Sequence, residues 1–510
     1  MRRWTIIAVI LTLAALGLRL TLALGVAVDC SGDGPVYRQF ALNLLDRGIY
    51  SADGEAPFVP SLIRMPGYPL TLAGIFSLFG HDNLTAVHWL QAFVDTATCW
   101  LAALLCWLWA PVAWEEGRRR GAALWAFALL AACPFTAVYA GTTLTETWTL
   151  FFGTLSVVAG SWALRTSGRG LWRWAGAGFA AGATCLYRPD SGLLAAALGF
   201  LLVGVGVREA ARAGGGSRDL RAAGLPLLWT FLRGLALSAG FVAALAPWAI
   251  RNALTFGVFQ PLAPAAANAP GEFVAEGYGA WVKTWLTRPR YIEFYIWPLD
   301  ERPMDPAGLP PEAFDSAAER ERVKGLFDAY NGGGSLLLRG AGTEESGPAM
   351  TPEVDAGFAA LARERAAAHP LRQLLLLPAR RAWNLWFDAH SVYYPFDGYL
   401  LPLSELPGRG AESILLPSFY LLTWAYTVLA AAGLLVWWRE PASRRWIALL
   451  SLLFLPRLAF LSTLANPEPR YMVEMFPFVA AAGGVAIGGW SRIHRPVPGD
   501  GESARKAGAP

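Results

Sequence analysis

The chain has 510 residues, of which 55% are hydrophobic and only 16% charged. A soluble domain carries about 25% charged residues, so this chain has too little polar surface to cover a water-facing globule. The +4 net charge is small and scattered, which gives no nucleic-acid footprint. Four of the five cysteines (Cys99, Cys106, Cys133 and Cys185) fall in apolar segments and only Cys30 lies in a loop, so the spacing provides neither a disulfide framework nor a metal site.

Apolar runs recur that can each cross a bilayer core of roughly 30 Å as a helix, the form that lipid imposes on an otherwise unpaired backbone. They predict an all-α polytopic membrane protein with about ten crossings, at 4–27, 84–110, 121–139, 144–164, 174–187, 191–207, 224–249, 414–437, 445–464 and 472–490. The fifth and sixth are short or tilted. Met1-Arg2-Arg3 before the first run resembles a signal-peptide start, but the run is long and Val26–Asp29 lacks a small-x-small cleavage site, so it reads as a retained helix. The stretch 66–80 opens with Pro66, Gly67 and Pro69 and reads as a re-entrant or interfacial helix.

Alternate short loops hold the arginines: Arg2 and Arg3, Arg118–Arg120, Arg165, Arg169 and Arg173, Arg208, Arg212, Arg218 and Arg221, Arg439, Arg444 and Arg445, and Arg492 and Arg495. By the positive-inside rule these loops are cytoplasmic. The expectation is a multi-pass protein of the inner (plasma) membrane with four parts. An N-terminal transmembrane module (1–249) includes a first outer loop at 28–65. An extracytoplasmic loop domain with interfacial helices (250–413) follows, then the C-terminal crossings (414–490) and a disordered cytoplasmic tail (491–510). Within the long loop, Asn331–Gly334 reads as flexible and Pro352–Ala368 as a helix. Leu371–Asp388, with Arg380, Arg381, Trp383 and Trp386, reads as a helix lying on the membrane surface.

In the first outer loop, Pro35 suits a helix start and Gly48 its stop, with Tyr37, Phe40, Ala41, Leu44 and Leu45 as one apolar stripe. Asp33, just before that helix, has two readings: a helix N-cap, or a general base that takes a proton from an acceptor hydroxyl. Arg64 precedes the turn Met65-Pro66-Gly67-Tyr68-Pro69 and is either a lipid-phosphate ligand or a headgroup anchor. Glu146 is a candidate helix cap, Arg188 a candidate helix end, and Arg251 and Arg470 candidate snorkelling anchors. Arg19, Asp95 and Arg457 lie deeper in apolar segments, where charge usually faces a cavity or a partner. His390, near Asp388, reads as structural, and no metal is assigned. There is no Walker A loop, GxGxxG, HExxH or GxSxG.

Asp33-x-x-x-Tyr37, Leu44-x-x-x-Gly48 and Arg64-x-Pro66-Gly67-Tyr68-Pro69 together resemble the opening of bacterial polyprenyl-phosphate-dependent glycosyltransferases. These are the protein O-mannosyltransferase relatives of family 39 and the aminoarabinose transferases, of the multi-spanning C-type fold. Gln91, Thr145-Glu146, Leu186-Tyr187-Arg188-Pro189, Pro247-Trp248-Ala249-Ile250-Arg251-Asn252 and Glu468-Pro469-Arg470-Tyr471 with Pro477 continue the resemblance over roughly 1–490. Where many relatives carry an Asp-Glu pair, Asp33 is followed by Gly34.

The resemblance implies inverting transfer of a sugar from a polyprenyl-phosphate donor to an acceptor hydroxyl on a protein, lipid or glycan, at the extracytoplasmic face. It makes Asp33 the base; Asp29 is a nearby competitor without a Tyr four residues on. A sugar phosphate already has a good leaving group, so the remaining need is positive charge for the departing phosphate, for which Arg64, Arg188, Arg251 and Arg470 are the candidates. Tyr37, Tyr68, Glu146 and Tyr471 are further site candidates, and the resemblance leaves a divalent cation open. The alternative reading is a transporter or flippase of a lipid-linked substrate, which would place its binding charges near the midplane.

Overall fold

The computed structural model describes residues 2–25, 32–166, 170–213, 220–264, 268, 271–332, 348–388 and 410–490, with 393, 394, 396, 400, 403, 406 and 408 singly. Asp29, Cys30, Arg169, Arg218, Gly333, Gly334, His390 and 491–510 lie outside the described residues. Among those described there is no strand: the protein is an all-α polytopic membrane protein.

The first crossing is α1 (Arg2–Gly25). Two short helices, α2 (Asp33–Arg47) and α3 (Gly67–Phe79), follow before α4 (Leu84–Trp109) and α5 (Glu116–Ala131). α5 breaks at Cys133 before α6 (Pro134–Ala137), and the broken pair is bent by 56°, because Pro134 has no N–H to give the preceding turn. Next come α7 (Glu146–Arg165), α8 (Leu171–Cys185), α9 (Gly192–Ala213) and α10 (Leu220–Phe256). The long loop contains α11 (Glu276–Val282), α12 (Arg290–Tyr295), α13 (Ala317–Asn331), α14 (Pro352–Ala368) and α15 (Leu377–Phe387). The bundle closes with α16 (Glu412–Arg439), α17 (Arg444–Ser462) and α18 (Phe476–Trp490).

Eight of these helices are long and apolar enough to cross a membrane, or nine segments if the bent pair is one span, rather than ten. The difference is the expected fifth crossing. α8 has 15 residues, roughly 22 Å of helix. Small residues bind it closely to α10: a Cβ on Gly178 would stand 1.8 Å from Leu237 O, and one on Gly240 2.0 Å from Ala175 O. Backbones meet this closely only where side chains are absent. The turn beyond α8 still reaches the start of α7, where Arg188 pairs with Glu146, the first residue of α7.

α18 is the enclosed centre, buried along almost its whole length against α16, α5 and α4. Arg19 on α1 is wholly buried and 2.6 Å from Asp95 on α4, and it also donates to Ala131 O at the end of α5. A buried charge is tolerated only when paired in this way.

One end of the bundle gathers arginines that tie helix termini together. Arg118 donates to Gly488 O (2.7 Å), Arg119 to Trp107 O (2.9 Å) and Arg165 to Ala110 O (2.6 Å). Guanidiniums there meet the unpaired carbonyls of helix C-termini. The twenty residues of α7 separate Arg165 from Glu146 at the other end, roughly 30 Å away.

The helices of the long loop enclose their own core, with Tyr278, Trp281, Phe327 and Phe358 at its centre. The segment expected to lie on the membrane surface, Leu371–Asp388, is instead two-faced. Leu371, Leu374, Leu375 and Leu376 are exposed, but Arg381 and Trp386 are buried. Arg381 donates to Leu286 O and Ser462 O, which joins the loop helices to α17, and Trp386 stacks on Phe476 of α18.

Candidate active site

At the end opposite the tied arginines, α2 begins at Asp33. Its N-cap is Gly32, with no side-chain cap hydrogen bond, and its C-cap is Gly48 at φ 68°. The Asp33 carboxylate therefore does not serve as a helix cap. Its Oδ1 accepts from Arg64 Nη2 at 2.8 Å, and its Oδ2 faces Arg470 Nη2 at 3.5 Å. The Asp33 and Arg64 side chains are each 29% exposed. Arg64 Nε is buried and has no hydrogen-bond partner among the described residues.

The turn that carries Arg64 is held by its neighbour in sequence. Gly67 N–H donates to Leu186 O at 2.7 Å, and a Cβ on Gly67 would stand 2.6 Å from that oxygen. A glycine is thus needed for the Pro66-Gly67 turn to dock on the Leu186-Tyr187-Arg188 turn. Tyr50 OH donates to Arg64 O and Met65 O from the other side.

Arg470 lies in the turn before α18, where its Nη1 donates to Tyr393 OH at 3.2 Å and it pairs with Glu468. Tyr471 sits between two cations, its ring 5.3 Å from the Arg470 guanidinium and 4.4 Å from that of Arg188. Its hydroxyl donates to Glu468 at 2.9 Å.

Arg188 is enclosed by Glu146 (3.4 Å), Asp190 (3.3 Å) and Glu474 (3.2 Å). Burial works against its charge, yet these carboxylates hold its pKa above the ordinary arginine value. Glu146 makes no side-chain cap hydrogen bond to α7. Arg457 on α17 completes the network, 2.6 Å from Asp190 and 3.0 Å from Glu474.

Tyr37, one turn after Asp33 on α2, packs edge-on against Tyr68 with ring centres 5.4 Å apart. Burial, with Asp33 nearby, pushes its hydroxyl pKa up, so it stays protonated at neutral pH. Tyr68 is fully buried beneath it and donates to Gln91 Oε1, which links the turn to α4.

Asp33, Arg64 and Arg470 are thus in direct contact, and Tyr471 joins them to Arg188 and Glu146. Arg251 is occupied elsewhere. It donates to Ser61 O (2.7 Å) and to Asn252 Oδ1 (3.0 Å) and lies over the Trp248, Phe256 and Tyr50 rings, bracing the loop that leads to Arg64.

Sequence reasoning missed Asp190 and Glu474. The signal was there: Glu474 interrupts the apolar run Met472–Pro477, and a carboxylate inside a crossing calls for a cation. Among the described residues, no three His, Cys, Asp or Glu side chains stand together as a metal cage. The described surroundings of Asp33 are cationic, so these residues do not fit a divalent ion.

No protein-family model matches the sequence, and neither does any curated protein. Among solved structures, the chain is similar to the oligosaccharyltransferase of Archaeoglobus fulgidus tethered with an acceptor peptide. The identity is 13% and the TM-score 0.46, with 95% of this chain and 50% of that one covered. It is also similar to ArnT from Cupriavidus metallidurans bound to undecaprenyl phosphate, at 14% identity and a TM-score of 0.35, covering 95% of this chain and 78% of that one. The chain thus spans about half the length of the archaeal enzyme.

Proposed function

We propose that the protein is a membrane glycosyltransferase that moves a sugar from a polyprenyl-phosphate donor to an acceptor hydroxyl, with inversion at the anomeric carbon. The observation that carries this reading is the Asp33 carboxylate. It is free of any capping duty and lies between Arg64 and Arg470, and Arg64 Nε has no partner among the described residues.

In the free protein the carboxylate holds both guanidiniums. A donor phosphate competes for them, because guanidinium and phosphate match bidentately, and Asp33 is then released to face the acceptor. The acceptor oxygen attacks the anomeric carbon while the bond from that carbon to the phosphate oxygen breaks. Asp33 takes the hydroxyl proton, and polyprenyl phosphate leaves into the charge of Arg64 and Arg470. Tyr37 and Tyr471 line the site, and Arg188 with Glu146 fixes its floor. The arginine-rich opposite end is the cytoplasmic one by the positive-inside rule, which puts the site on the extracytoplasmic side of the plasma membrane.

A transporter would need its deep charges free to bind, and those of Arg19, Asp95 and Arg457 are taken up in pairs: Arg19 with Asp95, and Arg457 with Asp190 and Glu474.

The test is incubation of the purified protein with a panel of labelled polyprenyl-phosphate sugars, with hydrolysis and transfer scored by mass. Wild type should release polyprenyl phosphate from at least one donor, and Asp33→Asn should not. Full turnover by Asp33→Asn removes the base from the mechanism; substrate movement across proteoliposomes without bond cleavage replaces the enzyme with a transporter.

A further inference from the structure

Beside the loop core lies a cavity of about 560 Å³, within the range of small-molecule sites. One wall is α15, whose Leu377, Arg380, Trp383 and Asn384 line it, as helical spacing places on one side. The opposite side of the same helix carries Leu385 and Trp386, which line a small cleft together with Arg470. The cavity and that cleft therefore lie on two sides of one helix, on the order of 10 Å across.

The lining has three kinds of group. Trp285, Tyr291 and Trp383 supply aromatic rings, with Trp383 48% exposed. Arg288 and Arg380 supply guanidiniums that have no ion-pair or hydrogen-bond partner among the described residues. Two carboxylates also line the cavity. That of Asp315 is already held by Arg372 at 2.7 Å and by Arg365 at 3.4 Å, and that of Glu312 is on an exposed residue, so one uncommitted carboxylate stands against two guanidiniums. Trp285 is 3% exposed, and its indole N–H has no hydrogen-bond partner among the described residues. A buried donor left unpaired costs free energy unless something occupies its site.

Rings stack on the C–H faces of sugars, as amphipathic aromatic side chains do on other ring surfaces. Free guanidiniums select an anion, and bidentately if it is a phosphate or carboxylate. We propose that this cavity binds an anionic saccharide, one bearing phosphate or carboxylate, and that it holds the acceptor beside the transfer site. The acceptor role rests on the glycosyltransferase reading; the binding itself does not.

The probe is trehalose 6-phosphate, compared with trehalose, added to the full-length protein in detergent. Affinity is followed by tryptophan fluorescence and sugar contact by saturation-transfer NMR. The phosphorylated sugar should bind about tenfold tighter or more, the Arg288→Ala/Arg380→Ala double variant should lose that preference, and Trp383→Ala should weaken both sugars. No binding, equal binding of the two sugars by wild type, or an unchanged preference in the double variant each overturns the proposal. The comparison of two sugars on wild type needs no variant to fold. Asp33→Asn should bind the probe as wild type does, so loss of transfer and loss of binding remain separate outcomes.

Discussion

Two groups of arginines and carboxylates meet at Tyr471, and they differ in their access to water. In the inner group, the side chains of Arg457, Glu146 and Glu474 are 1–4% exposed and those of Asp190 and Arg188 12–14%. Each of its cations lies between carboxylates that come from different helices or turns. In the other group, Asp33 and Arg64 are 29% exposed, although Arg470 behind them is 12% exposed. Breaking a buried pair leaves a charge stranded in a low dielectric and costs about 3–5 kcal/mol, whereas a pair with partial access to water contributes about 0–1 kcal/mol. The same residue types therefore do opposite work: the buried network clamps α7, α9, α17 and α18 together, and the exposed pair can exchange one partner for a ligand.

The contrast is open to attack, from the largest expected effect down. Asp33→Asn should lower sugar transfer by about 10²–10⁴-fold, the usual contribution of a positioned base, with the melting temperature nearly unchanged. A large fall in melting temperature would put Asp33 in the clamp instead. Arg457→Met should do the reverse, destabilising the protein by about 3–5 kcal/mol as read by denaturant midpoint in detergent; wild-type stability would show that the network is no clamp. Arg64→Gln should raise the donor KM by about tenfold or more, since a charge-assisted hydrogen bond is worth roughly 1.5–3 kcal/mol, while stability stays within about 1 kcal/mol.

The smallest effect belongs to a control pair. Arg38 on α2 bridges Asp82, with side-chain exposures of 44% and 26%, outside the site. The Arg38 guanidinium holds the Asp82 carboxyl below the ordinary range. The unfolded chain therefore binds this proton first, and the pair's contribution is present above about pH 4 and lost as pH falls through the depressed value. Asp82 has a φ of 59°, a conformation that Asn also tolerates, so Asp82→Asn fits the backbone. It should remove this acid-side slope, worth about 0–1 kcal/mol, and leave transfer intact.

Much of this was readable from the sequence. The crossings follow from runs of apolar residues, and Gly48 and Pro352–Ala368 mark a helix stop and a helix through local backbone chemistry alone. Asp33, Arg64 and Arg470 could be singled out because they fall in the motifs Asp33-x-x-x-Tyr37, Arg64-x-Pro66-Gly67-Tyr68-Pro69 and Glu468-Pro469-Arg470-Tyr471. Whether Asp33 caps a helix or faces arginines could not be decided locally, because a carboxylate at a helix start suits both. The answer depends on Arg470, 437 residues away.

The sequence by itself determined the all-α membrane class, the alternation of arginine-rich loops and the candidate charges, since hydropathy and charge act over one helix length. Only the tertiary structure decided the partners: Arg457 with Asp190 and Glu474, Arg251 turned away to Ser61, and Arg381 turned inward to Leu286 and Ser462. It also decided that α8 stays short against α10, because close backbone contact is a property of two helices and neither one's sequence contains it alone.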